Sequence, residues 1–188
     1  MAPSRMSYLF YGGIFLSPTE VETIRAAAYK FYRLDPVHAS GPIPHVMLMT
    51  RSLVAGNLPG RKIANELEVE LYLNSSRKWV YSKDAMELLE PGDQARVMMG
   101  TDVLIGVLGS GFANAIYMLP GSVTVSFSPP FVGGFFFSTM TEYCQIRYIP
   151  VFNKDTNSKT YLYNLAFLGL KKRLNNKVSD NYIKRLNY

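Results

Sequence analysis

Cysteine and histidine are scarce in this chain. The single cysteine, Cys144, excludes an internal disulfide framework, and the two histidines, His38 and His45, leave no clustered ligand set for structural zinc. No run of about eighteen apolar residues occurs, which argues against a membrane-spanning helix. Charged residues make up only 18% while apolar residues reach 48%, so the chain can bury a sizeable core and does not read as a disordered polymer. Internal repeats and low-complexity segments are missing as well. Met6 to Leu16 is apolar and follows Arg5, but it holds Gly12-Gly13 and runs straight into Ser17-Pro18-Thr19-Glu20, a helix start. It therefore reads as folded or linking chain rather than as a signal peptide.

A length of 188 residues suits one α/β domain, or one domain with a helical extension. The net charge of +6 is concentrated late, in Lys171-Lys172-Arg173, Lys177 and Lys184-Arg185. Such a balance is compatible with phosphorylated ligands, nucleic acid or an anionic membrane surface, and charge alone does not choose among them. In the tail the basic residues fall between apolar positions of a predicted helix, so a solvated face is the expected reading and membrane-surface attachment the minor one. No nucleic-acid motif is present, and no nucleic-acid partner is expected. Asn74-Ser75-Ser76 is a formal N-glycosylation sequon, which matters only if the chain enters the secretory pathway.

Hydrophobic periodicity gives the order of elements. Residues 18–33 predict a helix with Val21, Ile24, Ala28, Phe31 and Tyr32 at helical spacing, and Asp35 to Pro44 is a proline-rich linker. His45 to Thr50 predicts a buried strand, Arg51 to Gly60 a loop, and Arg61 to Asn74 a helix with Ile63, Leu67, Leu71 and Tyr72 on its apolar side. Lys78 to Tyr81 is a strand, and a helix begins near Pro91. Asp102 to Val107 is the continuous apolar run of a strand covered on both faces. Gly109-Ser110-Gly111 ends it, Phe112 to Met118 is a short helix, Pro120-Gly121 a stop, and Ser122 to Phe127 the next strand. Phe135 to Gln145 is a helix, Arg147 to Phe152 a last strand, and Thr160 to Tyr188 a helical tail. Strands alternating with helices of this length predict an α/β fold, a Rossmann-like doubly wound parallel sheet whose ligands bind beyond the carboxyl ends of the strands. The expected organisation is a lead-in over 1–44, a Rossmann-like domain over 45–152 and a basic helical tail over 153–188.

Two loops leave carboxyl ends of predicted strands with suitable chemistry. Arg51 to Arg61 offers guanidinium groups that grip a diphosphate, and Gly109 to Asn114 offers backbone N–H donors at a helix start. Small-residue turns and surface arginines are each common for structural reasons, so neither signal is specific alone. The remaining chemistry-bearing residues have plainer readings. Asp102 opens a buried strand and suits a cap, and His45 suits a satisfied structural histidine. Glu66 and Glu68 stand two apart on a helix and do not face one another, while Tyr143, Tyr148 and Phe135-Phe136-Phe137 suit a core.

The run G-V-L-G-S-G-F-A-N-A-I-Y-M-L-P-G-S-V-T-V resembles the signature of the family 61 glycosyltransferases, G-V-H-G-A-G-L-x-N-x-x-F-x-x-P-G-x-x-x-x-E. Upstream, Thr50-Arg51 and then Arg61-Lys62-Ile63-Ala64-Asn65-Glu66-Leu67-Glu68 resemble that family's S-R and R-x-I-x-N-E-x-E segments, and Asp93-Gln94 to Asp102 resembles its lead-in to the glycine motif. The resemblance covers roughly residues 45 to 152. It implies the nucleotide-sugar half of an inverting transferase of the GT-B kind, with a UDP-sugar as donor, a protein or glycan hydroxyl as acceptor, and no metal or further cofactor. It also implies that Arg51 and Arg61 neutralise the diphosphate, that Gly109, Ser110, Gly111 and Asn114 line it, and that Asn65 and Glu66 organise the helix start. The amino-terminal half, with the acceptor site and the catalytic base, is not matched, so activity is expected to need that half or a partner subunit. Leu108 replaces the family's histidine and Ser126 its acid, which leaves a disabled relative, a nucleotide-binding or interaction module, as the alternative. Family precedent places such enzymes in the secretory pathway; without it the cytoplasm is the expectation.

Overall fold

The computed structural model describes residues 17–36, 42–50, 62, 63, 65–128, 135–152, 162 and 163. Helix α1 (Pro18–Tyr32) starts as its sequence demands: Ser17 Oγ accepts from the Glu20 N–H at 3.3 Å, Glu20 Oε2 accepts from the Ser17 N–H at 2.6 Å, and Pro18 follows the cap. The Ser17 backbone N–H holds the Glu20 carboxyl below its ordinary range. Its end is set by Arg33 in the left-handed region at φ 54°.

Five strands form one parallel sheet: β1 (His45–Met49), β3 (Val80–Asp84), β4 (Val103–Val107), β5 (Val123–Ser128) and β6 (Arg147–Phe152), in the order β3-β1-β4-β5-β6. Two short strands, β2 (Lys62–Ile63) and β7 (Leu162–Tyr163), pair in parallel apart from it. One face of the sheet carries Val46, Leu48, Val103, Ile105, Val125 and Phe127, packed with Val69 and Leu73 of α2 (Glu66–Ser75) and with Trp79. Trp79 Nε1 donates to the Leu73 carbonyl at 2.8 Å, tying the end of α2 to the strand that follows. The opposite face carries Met47, Met49 and Leu104 under Val21 of α1, Met98 of α3 (Pro91–Met99), Cys144 after α4 (Phe135–Tyr143), and Phe112, Ala115 and Met118 of a 3-10 segment and its end. Helices on both faces of an all-parallel sheet make this the expected α/β, Rossmann-like arrangement. No helix among the described residues is long and apolar enough to cross a membrane.

Three local expectations are corrected. In α1 the inward positions are Val21, Arg25 and Tyr29, while Ile24 is 40% and Phe31 79% exposed. Polar groups win the inner face because they find carbonyl partners there, as described below. The segment expected to be helical from Arg61 contains β2 before α2 begins at Glu66, and Leu67 and Leu71 are exposed while Val69 and Leu73 are buried. Glu66 to Leu71 alternates acidic and apolar residues, so helical periodicity cannot orient it. Lys83 of β3 does so, with its ammonium 3.0 Å from Glu66 and 2.8 Å from Glu70, one turn apart. The hydrogen bond to Glu70, reinforced by Glu66 against desolvation, holds Lys83 well above the usual lysine range. Leu162 and Tyr163, placed in a helical tail by the sequence reading, form β7 because β2 offers them a partner. Residues 164–188 lie outside the described residues.

Candidate functional site

Counted along the chain, the five main strands take the order 2-1-3-4-5, so successive connections turn from one side to the other between β1 and β4. The crevice beyond the carboxyl ends of that strand pair is where open α/β sheets bind ligands. Both loops singled out from the sequence leave these two strands.

The β4 side is fully described. Leu108 prolongs the ladder by donating its N–H to the Phe127 carbonyl at 2.9 Å, and Gly109 continues extended. Phe112 N–H then donates to the Gly109 carbonyl at 3.0 Å and opens a 3-10 helix over Ser110–Tyr117. The short helix expected over Phe112 to Met118 is thus of the 3-10 kind and starts two residues earlier. Among the described residues the amides of Ser110 and Gly111 donate to no backbone carbonyl, and Ser110 is exposed. A β-carbon at Gly111 would lie 2.9 Å from Met49 Sδ, and one at Gly106 would lie 3.0 Å from the Met49 carbonyl oxygen. The two glycines therefore let the end of β1 press against the turn after β4, in the register that pairs Met49 with Gly106. Asn114 is half-buried on the 3-10 helix, which Phe112 anchors edge-on to Phe137, the ring centroids 6.0 Å apart. Gly121, at φ 82°, makes the turn into β5 after Pro120.

The β1 side is described up to Thr50, whose N–H donates to the Asp84 carbonyl at 2.9 Å. Arg51 and Arg61 lie outside the described residues. Asn65 precedes α2 and donates from Nδ2 to Glu68 Oε2 at 3.0 Å, while Glu66 is engaged by Lys83. Asp84 closes β3 at the carboxyl edge, half-buried beside Thr50. The sequence reading missed this acid because it placed the strand at 78–81; the polar Ser82, Lys83 and Asp84 disguise an edge strand.

The Glycosyltransferase 61 family matches residues 10–125. The chain belongs to that family. The match extends over well more than half of the sequence, from ahead of α1 into β5, and so takes in the glycine turn, the crevice strands and α1. No curated protein matches the chain.

Within this glycosyltransferase 61 domain, the two departures from the family pattern are interior positions. Leu108 is 2% exposed. Ser126 is fully buried inside β5 rather than after it, and its hydroxyl donates to the Tyr148 hydroxyl at 2.7 Å. At the opposite edge, His45 Nδ1 faces the Gly100 carbonyl at 3.0 Å and so carries the proton, leaving Nε2 to accept from Ser82 Oγ at 2.8 Å. Asp102 Oδ2 accepts the His45 N–H at 2.8 Å. His45 and Asp102 thus clamp β1 to its neighbours away from the glycine turn. Cys144 is buried, and burial pushes its thiol up against the opposing influence of Arg25. Such a thiol is a poor nucleophile.

Proposed function

We propose that this domain binds a nucleotide-diphosphate sugar, a UDP-sugar, in the crevice between the loops that follow β1 and β4, and serves inverting transfer of the sugar to a hydroxyl of a protein or glycan acceptor. The observation that carries the reading is the Gly109-Ser110-Gly111 turn, whose Ser110 and Gly111 amides meet no backbone acceptor among the described residues and sit at the switch point of a parallel sheet. Such amides favour a phosphate, and the arginines of the loop after β1 neutralise a diphosphate bidentately. In this reading Arg51 and Arg61 hold the diphosphate, Asn114 lines it from the 3-10 helix, and Asn65 and Glu66 brace the start of α2. The acceptor hydroxyl loses its proton to a base, its oxygen attacks the anomeric carbon from the face opposite the diphosphate, and the diphosphate leaves with the bonding pair. Amides and guanidinium groups stabilise that departing charge. Base and acceptor site belong to a second Rossmann-like half of a GT-B arrangement, supplied by further chain or by a partner subunit.

The burial of Leu108 and Ser126 favours a second reading, a domain that binds the nucleotide without transferring sugar. Titration calorimetry with uridine and guanosine diphosphates and their sugar conjugates tests both, with Arg61→Ala as control. Saturable binding that the control abolishes supports the donor site, and binding without sugar release to any acceptor supports the disabled relative. Wild-type protein that takes up none of these ligands overturns the proposal.

A further inference from the structure

Helix α1 carries two polar side chains inward, and both end on the 3-10 helix behind the glycine turn. Arg25 is 5% exposed; its Nε donates to the Ile116 carbonyl at 2.8 Å and its Nη2 to the Cys144 carbonyl at 3.2 Å. Tyr29 donates its hydroxyl to the Tyr117 carbonyl at 2.6 Å. A buried cation ordinarily needs an anionic partner, yet Arg25 meets no carboxylate among the described residues. Its charge is instead matched by the ends of two helical segments, Ile116 in the last turn of Ser110–Tyr117 and Cys144 just beyond α4, where carbonyls concentrate negative potential. Gln145, next in the chain, donates from Nε2 to Glu22 Oε1 of α1 at 3.2 Å, and its carbonyl accepts the Gly121 N–H at 2.8 Å.

These contacts give the 3-10 helix a mounting at each end. Gly111 rests on Met49 at the start, and α1 holds the carbonyls of Ile116 and Tyr117 at the finish. A 3-10 segment of this length spans about 15 Å, and its hydrogen-bond geometry is poorer than that of an α-helix, so where its near-end amides point depends on its being held at both ends. We propose that Arg25 and Tyr29 are positioning residues for the diphosphate turn, holding the Ser110 and Gly111 amides in place through the 3-10 helix. The proposal rests on the donor-site reading above for its functional consequence, though not for its structural one.

The test uses the full chain with Tyr29→Phe, Arg25→Gln and Arg25→Lys, read by amide hydrogen exchange without ligand and by calorimetric titration with uridine diphosphate. Tyr29→Phe, which removes one hydroxyl, is expected to fold with a nearly unchanged melting midpoint. Exchange of the amides from Phe112 to Met118 should rise about fivefold while β4 and β5 stay protected, with a similar drop in nucleotide affinity. Arg25→Gln should exceed both changes, and Arg25→Lys should recover part of each. Unchanged exchange in a folded Tyr29→Phe, a rise spread evenly through β4 and β5, or failure of Tyr29→Phe to fold would overturn the proposal. If wild-type protein binds no uridine diphosphate, the donor-site reading falls on that result, and the exchange measurement still decides the positioning role.

Discussion

Gly106 and Gly111 both abut Met49, yet alanine at each should have opposite consequences. At Gly106 the added methyl would sit 3.0 Å from the Met49 carbonyl oxygen and 3.3 Å from its Cβ, atoms that move only with the strand. Crowding of this kind in a packed core costs about 1 to 3 kcal/mol, which for a chain of this size lowers the melting midpoint by roughly 2 to 12 °C. At Gly111 the nearest atoms are Met49 Sδ at 2.9 Å and Cε at 3.2 Å, the far end of a flexible side chain that can swing aside. No positive φ strains alanine there, and the lost freedom of the unfolded chain returns about 0.4 to 1 kcal/mol. Gly111→Ala should therefore melt within about 3 °C of wild type. Its methyl nevertheless displaces Met49 at the base of the crevice and crowds the amide that faces the diphosphate in the proposed donor site, so uridine diphosphate affinity should fall at least tenfold. Thermal melts and calorimetric titration of the pair read both effects. Wild-type affinity in a stable Gly111→Ala protein would refute a ligand lying against this turn.

Tyr81 and Lys83 both titrate higher in the fold than in the unfolded chain. Burial pushes the Tyr81 phenol from 10 up to about 12, with Glu70 adding to it, so its contribution is complete below pH 10 and is lost as the pH rises through that range. Lys83 acts in the same direction, and the wild-type melting temperature should fall steadily above pH 10. Tyr81→Phe should flatten that alkaline slope and, because the buried Tyr81 hydroxyl has no partner among the described residues, stabilise the fold at pH 7 by up to about 1 kcal/mol in urea melts; a loss of stability there would contradict it. Lys83→Met should cost only about 0.5 to 1 kcal/mol, since the ammonium and both carboxylates are a third exposed, and a loss several times larger in the same melts would show a buried network instead. Leu108→His, which restores the family residue, should destabilise by about 1 to 3 kcal/mol by placing an unpartnered ring in the core, without raising nucleotide affinity in titration.

The strands were legible because burial on both faces writes unbroken apolar runs. Val103 to Val107 and His45 to Met49, in the middle of the sheet, differ from their expected bounds by a single end residue, and the edge strand β6 matches Arg147 to Phe152 residue for residue although Arg147 is exposed and Tyr148, Pro150 and Val151 are only half-buried. Helix faces were less legible where polar side chains turn inward. Arg25 and Tyr29 are not among the inward positions that apolar spacing gives for residues 18–33, because their partners are carbonyls some ninety residues away, information that no local period carries. In Glu66 to Leu71 strict alternation suits neither face of a helix, and one lysine on another element decides the rotation. The glycine turn reads from the sequence as a set of donors for a ligand, whereas the close approach seen at Gly111 is that of Met49 of β1, which no local pattern announces. Strand order lies beyond sequence pattern altogether; β1 sits between β3 and β4 only once pairing is known.

That order narrows the chemistry the domain can supply. With Leu108 and Ser126 turned into the interior, the family's two polar positions offer nothing to a ribose or a base at the crevice. Among the described residues, the backbone groups left unengaged there are the Ser110 and Gly111 amides, while Thr50 and the acid Asp84 stand where β1 and β3 end. Amides recognise phosphate oxygens whatever nucleoside is attached, whereas discrimination of a base needs side chains or carbonyls set at fixed distances from its edge. In the proposed donor site, recognition at these positions therefore rests on glycine and strand topology, and Leu108 and Ser126 contribute no ionisable side chain to it. If the domain works as proposed, selection of nucleoside and sugar falls to the loop after β1 or to the second half of the proposed GT-B arrangement.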